Sequence, residues 1–578
     1  MAMTANRETV NEGRPAVQRF FRFGRKPVVA QSALLALLLG VFLLASAQVR
    51  AYAGNIQRDA FTISGAIPAP ALRYTPPAGQ RLPVVAVIAH GYSADKELMS
   101  AFALDLAKQG ITVYTFDFPG HGASTATYGG LTRSNPVAGL VTTLGEVVDY
   151  ALAHAPDPHT RVVLIGYSLG TIPVAKYAVE HPNMPNLAAT VLVAGILTDR
   201  PTLSTPRNLL VLSGQFDLPG INDTARNTIA SACGASAARV TAVYQCQAIP
   251  GDARKRVVLQ GLDHISIVTA ASTHAVTLTW LGKTVDPRIG KTPVNADTRL
   301  HWMLLGFLAA LLAVGPIIAL LSRLFRLQLA TPPTLSLAQG RSADAATAAP
   351  PRWLGLAALP VALGVALLAL RVALPSDFWA PDPFPFTFLR QQVSADVAIF
   401  FLFAGAALAA LLWGVPRLRR AITLPSWREA APQALIAAAV TGFLSLTLGA
   451  LSTYAWESLT LEPQRLWRGA VYALMLWPFF FGLRSLLAAL APRLKRPVLA
   501  DLGAGLLIVL ALVVSIIMNF GRLSYLGILL PIVGIMIFLL AGMAAWSRRT
   551  LRYPVALVAT LEALLMAWIL SATLPLVS

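Results

Sequence analysis

The segment VVLIGYSLGT, Val162–Thr171, decides how this chain is read. A run of apolar β-type residues stops at Gly166, presents Tyr167 and Ser168, and passes Gly170 into a helical pattern. The run reads as a buried strand and the sequel as a helix, which puts Ser168 on a sharp turn between them. G-x-S-x-G alone is a weak signal, so the surrounding pattern has to carry the assignment.

Outward from this turn, strand, loop and helix alternate. Strands are expected at Val84–Ala89, Ile111–Phe116, Val162–Gly166, Thr190–Ala194, Asn208–Ser213 and Arg256–Gln260. Short continuous apolar strands separated by helices indicate an α/β fold, with a mostly parallel sheet covered on both faces. Ligands bind such sheets beyond the strand C-termini. Those positions hold His90-Gly91-Tyr92, the stretch Asp117–Ser124, Ser168, Asp217 and Asp263-His264.

From Asp59 to near Lys283 these motifs, in this order, resemble the α/β-hydrolase superfamily, whose chain order is nucleophile, acid, histidine. The resemblance implies that Ser168 is the nucleophile, that His264 is general base and then general acid, and that Asp217 fixes the histidine tautomer. Gly166 and Gly170 leave room for the turn. A helix beginning near Leu169 directs its amides at developing negative charge, so Leu169 N–H is one expected oxyanion donor. The resemblance assigns the second to Tyr92 N–H, after the structural motif His90-Gly91. His121, in a D-x-x-G-H-G-x-S loop, is expected to support structure. Asp223 and His274 are the rivals for acid and base.

Many relatives insert a helical cap before the acid-bearing strand, and Gly195–Arg207 is too short for one. The extra length falls between Leu218 and Lys255, and is expected to be a loop-rich insertion. Cys233 and Cys246, the two cysteines of the chain, are expected to pair there in an oxidising compartment. No Cys/His cluster has zinc-ligand spacing, so no metal and no cofactor are expected.

The chain has 578 residues, 56% hydrophobic and 13% charged, with a mean hydropathy of +0.62, which marks an integral membrane protein. A basic tail (1–27) precedes an apolar anchor (28–49), a hydrolase-like domain (50–291) and a membrane domain (299–578). The anchor contains Ala45-Ser46-Ala47, which resembles a signal-peptidase site, so cleavage is the alternative to anchoring. Eight further all-α spans are expected near 302–321, 353–372, 397–415, 432–453, 466–483, 499–519, 524–545 and 553–576. Arginine-rich loops recur at every second connection, which puts the N-terminus in the cytoplasm and the hydrolase-like domain outside. The net charge of +19 therefore reads as topology and not as nucleic-acid binding. Glu562 stands out as an intramembrane carboxylate, and Ser376–Phe386 as an aromatic stretch for the outer interface.

The expected function is a membrane-bound serine hydrolase of the outer face, cleaving carboxylic esters of a lipid or acylated substrate. The alternatives are an acyltransferase or peptidase with the same residues, or a transporter or sensor with an accessory hydrolase domain. The expected partners are a hydrophobic or acylated substrate and the membrane, with no protein partner specified.

Overall fold

The computed structural model describes residues 28–129, 137–195, 197, 201–202, 204–246, 251–325, 351–376, 385–419, 426–491, 494, 496–547 and 555–577. The basic tail 1–27 and positions 377–384 of the aromatic stretch lie outside the described residues.

After helix α1 (Val28–Ala51), one nine-stranded sheet organises residues 57–259. Its strands are β1 (Gln57–Ile63), β2 (Ala69–Thr75), β3 (Val84–Ala89), β4 (Thr112–Phe116), β5 (Arg161–Tyr167), β6 (Leu187–Val193), β7 (Leu209–Gly214), β8 (Val243–Cys246) and β9 (Arg254–Leu259). The order across the sheet is β1-β2-β4-β3-β5-β6-β7-β9-β8. The strands expected from sequence form its parallel centre. β1, β2 and β8 are antiparallel additions at the two edges. They escape an apolar-run criterion because β1 (QRDAFTI) is half exposed, β2 carries Pro70 and Arg73, and β8 has four residues.

The central strands bury both faces, as their unbroken apolar runs require. Val85, Val87 and Ala89 of β3 join one core, and Val84, Ala86 and Ile88 the other, following the two-residue period of a strand. Helices α3 (Ala138–Ala153), α4 (Thr171–Glu180) and α5 (Pro219–Ala232) cover the first face; α2 (Ser100–Ala107) and α6 (Ala271–Thr284) cover the second.

The stretch from Leu218 to Lys255 corrects the expectation of a loop-rich insertion. It holds α5 and β8, with Cys233 and Cys246 disulfide-bonded between them. Ile221, Ala225 and Ile229 recur every fourth residue on the buried side of α5, and Pro219 sits where a helix tolerates it. That apolar spacing outweighs Asn222, Asp223 and Gly234, which read locally as turn formers.

The C-terminal half is helical and fits a membrane domain. It comprises α7 (Arg299–Leu324), α8 (Arg352–Ala373), α9 (Gln392–Gly414), α10 (Trp427–Ser452), α11 (Pro463–Leu490), α12 (Pro497–Met518), α13 (Phe520–Trp546) and α14 (Val555–Thr573). Among the described residues, eight helices including α1 are long and apolar enough to cross a membrane. Counting α13 as one span despite its 59° bend between Pro531 and Val533 makes nine.

These helices extend beyond the apolar windows and draw further charges inside. Arg484 donates to Glu562 at 2.7 Å and to Asp501 at 2.8 Å, and Arg522 donates to Asp396 at 2.7 Å. Glu562 is thus one member of an ionic group and not the main intramembrane charge, as the sequence suggested. The expected spans stopped one or two residues short of Asp396, Arg484 and Arg522.

Removing one partner of a buried ion pair strands the rest, at a cost of about 3–5 kcal/mol. Arg484→Leu should lower the thermal unfolding midpoint of the detergent-solubilised protein sharply. Adding Glu562→Leu should recover part of the loss, and an unshifted midpoint in the single variant would contradict the pairing.

Candidate active site

Ser168 sits where β5 ends, with φ of 50°, a left-handed conformation that side-chain-bearing residues seldom adopt. Its neighbours explain why the turn closes only on glycine. A Cβ on Gly166 would stand 2.5 Å from the Gly170 carbonyl oxygen, and one on Gly170 would run into the carbonyls of Ala89 and His90. Ser168 begins a single 3-10 turn that leads into α4, so Leu169 N–H is among the first amides of the helix, which have no intrahelical acceptor.

The sheet brings the other two candidates to the same place. β7 ends at Gly214 and carries Asp217; β9 ends at Leu259 and carries His264. His264 Nε2 lies 3.0 Å from Ser168 Oγ, and His264 Nδ1 lies 2.8 Å from Asp217 Oδ1. Asp217 Oδ1 also accepts Leu218 N–H at 3.0 Å. An ionised carboxylate only accepts, so Nδ1 carries the ring proton and Nε2 is left to accept from the serine. The group is shielded: Ser168, Asp217 and His264 are 6%, 6% and 8% exposed. Tyr167 adds a contact that the sequence did not reveal, its hydroxyl donating to the His264 carbonyl at 2.8 Å. That contact ties His264 to the residue preceding Ser168.

The loop after β3 forms the opposite wall. A Cβ on Gly91 would lie 3.2 Å from Ser168 Cβ, so the Gly91–Tyr92 peptide rests directly against Ser168. Phe118 N–H donates to His90 Nε2 at 3.0 Å, which places the His90 proton on Nδ1, 2.7 Å from the Gly91 carbonyl. Burial holds the His90 pKa down at about 4, so the ring stays neutral near pH 7. In a trans peptide C=O and N–H point opposite ways, so holding Gly91 O toward His90 turns Tyr92 N–H away from it. His121 is buried as expected for a supporting residue, with Nε2 2.6 Å from the Tyr92 carbonyl and Nδ1 2.8 Å from that of Pro119. Burial also lowers the His121 pKa, to about 3.

A buried ion pair that the sequence did not signal stands behind this loop. Lys96 Nζ meets Asp117 at 2.6 Å, and Asp117 also accepts the Lys96 and Ala123 amides. Burial pushes the Lys96 ammonium pKa down, but the carboxylates of Asp117, Glu97 and Asp95 outweigh it and hold the charge. The rivals fall elsewhere: Asp223 is exposed on α5 beside Arg226, and His274 is buried between Asp105 and the Val268 carbonyl. Among the described residues, no group of three or more His, Cys, Asp or Glu is placed to hold a metal ion.

Residues 82–281 match the Hydrolase_4 family, described as serine aminopeptidase, S33. Among solved structures, a protein described as a CIB-like hydrolase from Thermoplasma acidophilum is 17% identical, with 39% of this chain and 98% of that one covered and a TM-score of 0.30. A dienelactone hydrolase from Anabaena variabilis is 17% identical, covering 39% and 97%, with a TM-score of 0.26. An esterase from Pyrococcus furiosus is 11% identical, covering 40% and 92%, with a TM-score of 0.29. No curated protein matches the chain. The family match and the strand order identify this half as an α/β-hydrolase domain.

Because a Cβ on Gly170 has only backbone to meet, Gly170→Ala should force the turn away from β3. Overpacking of this kind costs about 1–3 kcal/mol. Differential scanning fluorimetry should show a lowered midpoint, and an unchanged midpoint would contradict the close approach.

Proposed function

We propose that the protein is a membrane-bound serine hydrolase that cleaves carboxylic esters of lipid or acylated substrates at the outer face of the membrane. The observation that carries this reading is the hydrogen-bonded series Ser168–His264–Asp217, with links of 3.0 and 2.8 Å. Ser168 Oγ attacks the ester carbonyl carbon while His264 Nε2 takes its proton. The oxygen gains negative charge beside the Tyr92 and Leu169 amides, each typically worth about 3–4 kcal/mol in the transition state. The tetrahedral adduct collapses, the alkoxide leaves with the proton from His264, and a water repeats the sequence on the acyl-enzyme to release the acid. No cofactor enters these steps.

Support for an amphiphilic substrate comes from which side of the sheet meets the helical half. Ser458 N–H donates to Asp95 at 2.7 Å, Gln464 to the Ser124 carbonyl at 3.2 Å, and Arg465 to the Gly120 carbonyl at 3.0 Å. Those acceptors follow the C-terminal ends of β3 and β4, so the strand-end face is turned toward the apolar helices. On the same face Phe216 and Leu218 flank Asp217 and are 67% and 47% exposed, an apolar lip suited to an acyl chain. The recurrence of arginines at every second connection in the sequence favours a cytoplasmic location for those connections, and hence an extracytoplasmic hydrolase domain. The S33 description of the matching family favours a second reading, hydrolysis of a peptide amide by the same residues.

The full-length protein in detergent, assayed with p-nitrophenyl esters and matched aminoacyl p-nitroanilides, separates these readings. Ester turnover should disappear in Ser168→Ala and fall by about 10³–10⁴ in kcat in Asp217→Asn, which upsets the histidine tautomer. Phe216→Ser should raise KM for long acyl chains and leave acetyl esters unaffected. A larger kcat/KM on the anilides would establish the peptidase reading, and turnover unaltered in Ser168→Ala would overturn both. Ester kcat/KM should also fall on acidification, because a protonated His264 cannot accept the serine proton. His90, at about 4, stays neutral through the mildly acidic range and does not contribute to this fall. A flat profile would contradict the role of His264.

A further inference from the structure

Tyr525 lies near the start of α13, in the helical half, yet it reaches the loop beside Ser168. Its ring meets that of Tyr92 edge-to-face, with centroids 4.8 Å apart, and its hydroxyl oxygen lies 2.6 Å from Ser93 Oγ.

Residues 91–94 form a turn closed by Ala94 N–H donating to the Gly91 carbonyl at 3.2 Å, with Tyr92 and Ser93 at its corners. The peptide between those corners is held at its carbonyl, Tyr92 O, which faces His121 Nε2 at 2.6 Å. The serine that follows is held through its side chain, Ser93 Oγ lying 2.6 Å from the Tyr525 hydroxyl. His90 fixes the preceding peptide through Gly91 O. Two of the three holds on the turn come from the hydrolase domain itself and the third from a helix more than 400 residues away in sequence.

We infer that Tyr525 is a positioning residue for the hydrolase reaction: through Ser93 it holds the turn that aims Tyr92 N–H at the developing oxyanion. The inference rests on the serine-hydrolase reading and goes beyond it by giving the helical half a part in catalysis. Turnover then depends on how α13 is seated, although Tyr525 touches neither substrate nor Ser168. A donor held off its aim stabilises the transition state less while leaving substrate binding unchanged.

The test uses the full-length protein in detergent with a p-nitrophenyl ester and an alkyl boronic acid, whose serine adduct mimics the tetrahedral intermediate. Tyr525→Phe keeps the ring against Tyr92 and removes the hydroxyl. It should lower kcat about tenfold, the scale of one hydrogen bond, with KM within about twofold. Boronate affinity should fall by the same factor as kcat. Ser93→Ala should behave alike, and the double variant should be no worse than either single one, because both remove one shared interaction. Counting active sites with a fluorophosphonate separates this from misfolding, which would lower the active fraction and leave kcat per titrated site intact. Wild-type kcat and boronate affinity in Tyr525→Phe, or losses that multiply in the double variant, would overturn the inference. Absence of Ser168-dependent turnover in the wild type would instead overturn the hydrolase reading, and the role of Tyr525 with it.

Discussion

The close approach of two backbone turns, one at the end of β5 and one at the end of β3, is the constraint on which the site depends. Gly170 packs against the carbonyls of Ala89 and His90, with no space for a side chain, and Gly91 packs tightly against Ser168 and the Tyr167 ring. Glycines on both turns therefore set how close Ser168 comes to the peptide that faces it. Ser168 pays about 1–2 kcal/mol for its left-handed conformation. It is held there because β5 lies between β3 and β6 and pairs with both up to the strand end, Gly166 with Ala89 and Tyr167 with Val193. Asp217 and His264 then need only short loops from neighbouring strand ends to reach it.

The helical half is fastened to this strand-end face by polar contacts that leave little freedom of orientation. Arg465 of α11 donates to the Ser571 and Leu574 carbonyls at the end of α14 and to Gly120 in the hydrolase loop. Leu576, beyond α14, exchanges backbone hydrogen bonds with that loop, donating to Gly120 and accepting from Tyr128. Arg299, at the start of α7, reaches Ser100 and the Tyr454 carbonyl. Asp95, whose pKa burial and then Asp117 raise to about 6, takes the Ser458 amide. A domain tethered only by flexible linkers has no need of such contacts.

The sequence displayed the central sheet and the Ser168, Asp217 and His264 positions because both leave local traces: apolar runs of strand length and strand ends punctuated by glycine, aspartate and histidine. The edge strands left weaker traces. One face of β1 meets solvent, and β8 is short, so neither produces an apolar run. Helix α5 was hidden by polar residues on its outer side, while its buried residues followed a spacing that was present to be read. What a single sequence conceals is pairing at a distance: Lys96 with Asp117, Glu562 with Arg484, Asp396 with Arg522, and Tyr525 with Ser93. Glu562 stands out within its span, but its partner and the other residues named read locally as ordinary ones, and only the fold supplies the pairing.

The central claim is that Ser168 is an activated nucleophile facing the outer side of the membrane. Its most direct test is a membrane-impermeant fluorophosphonate applied to sealed right-side-out vesicles, with the adduct located by mass spectrometry. The account predicts an adduct on Ser168 in the wild type and none in a folded His264→Ala variant. Absence of an adduct in the wild type, even after detergent opens both faces, would contradict the activation of Ser168. An adduct that forms only after detergent would contradict the orientation.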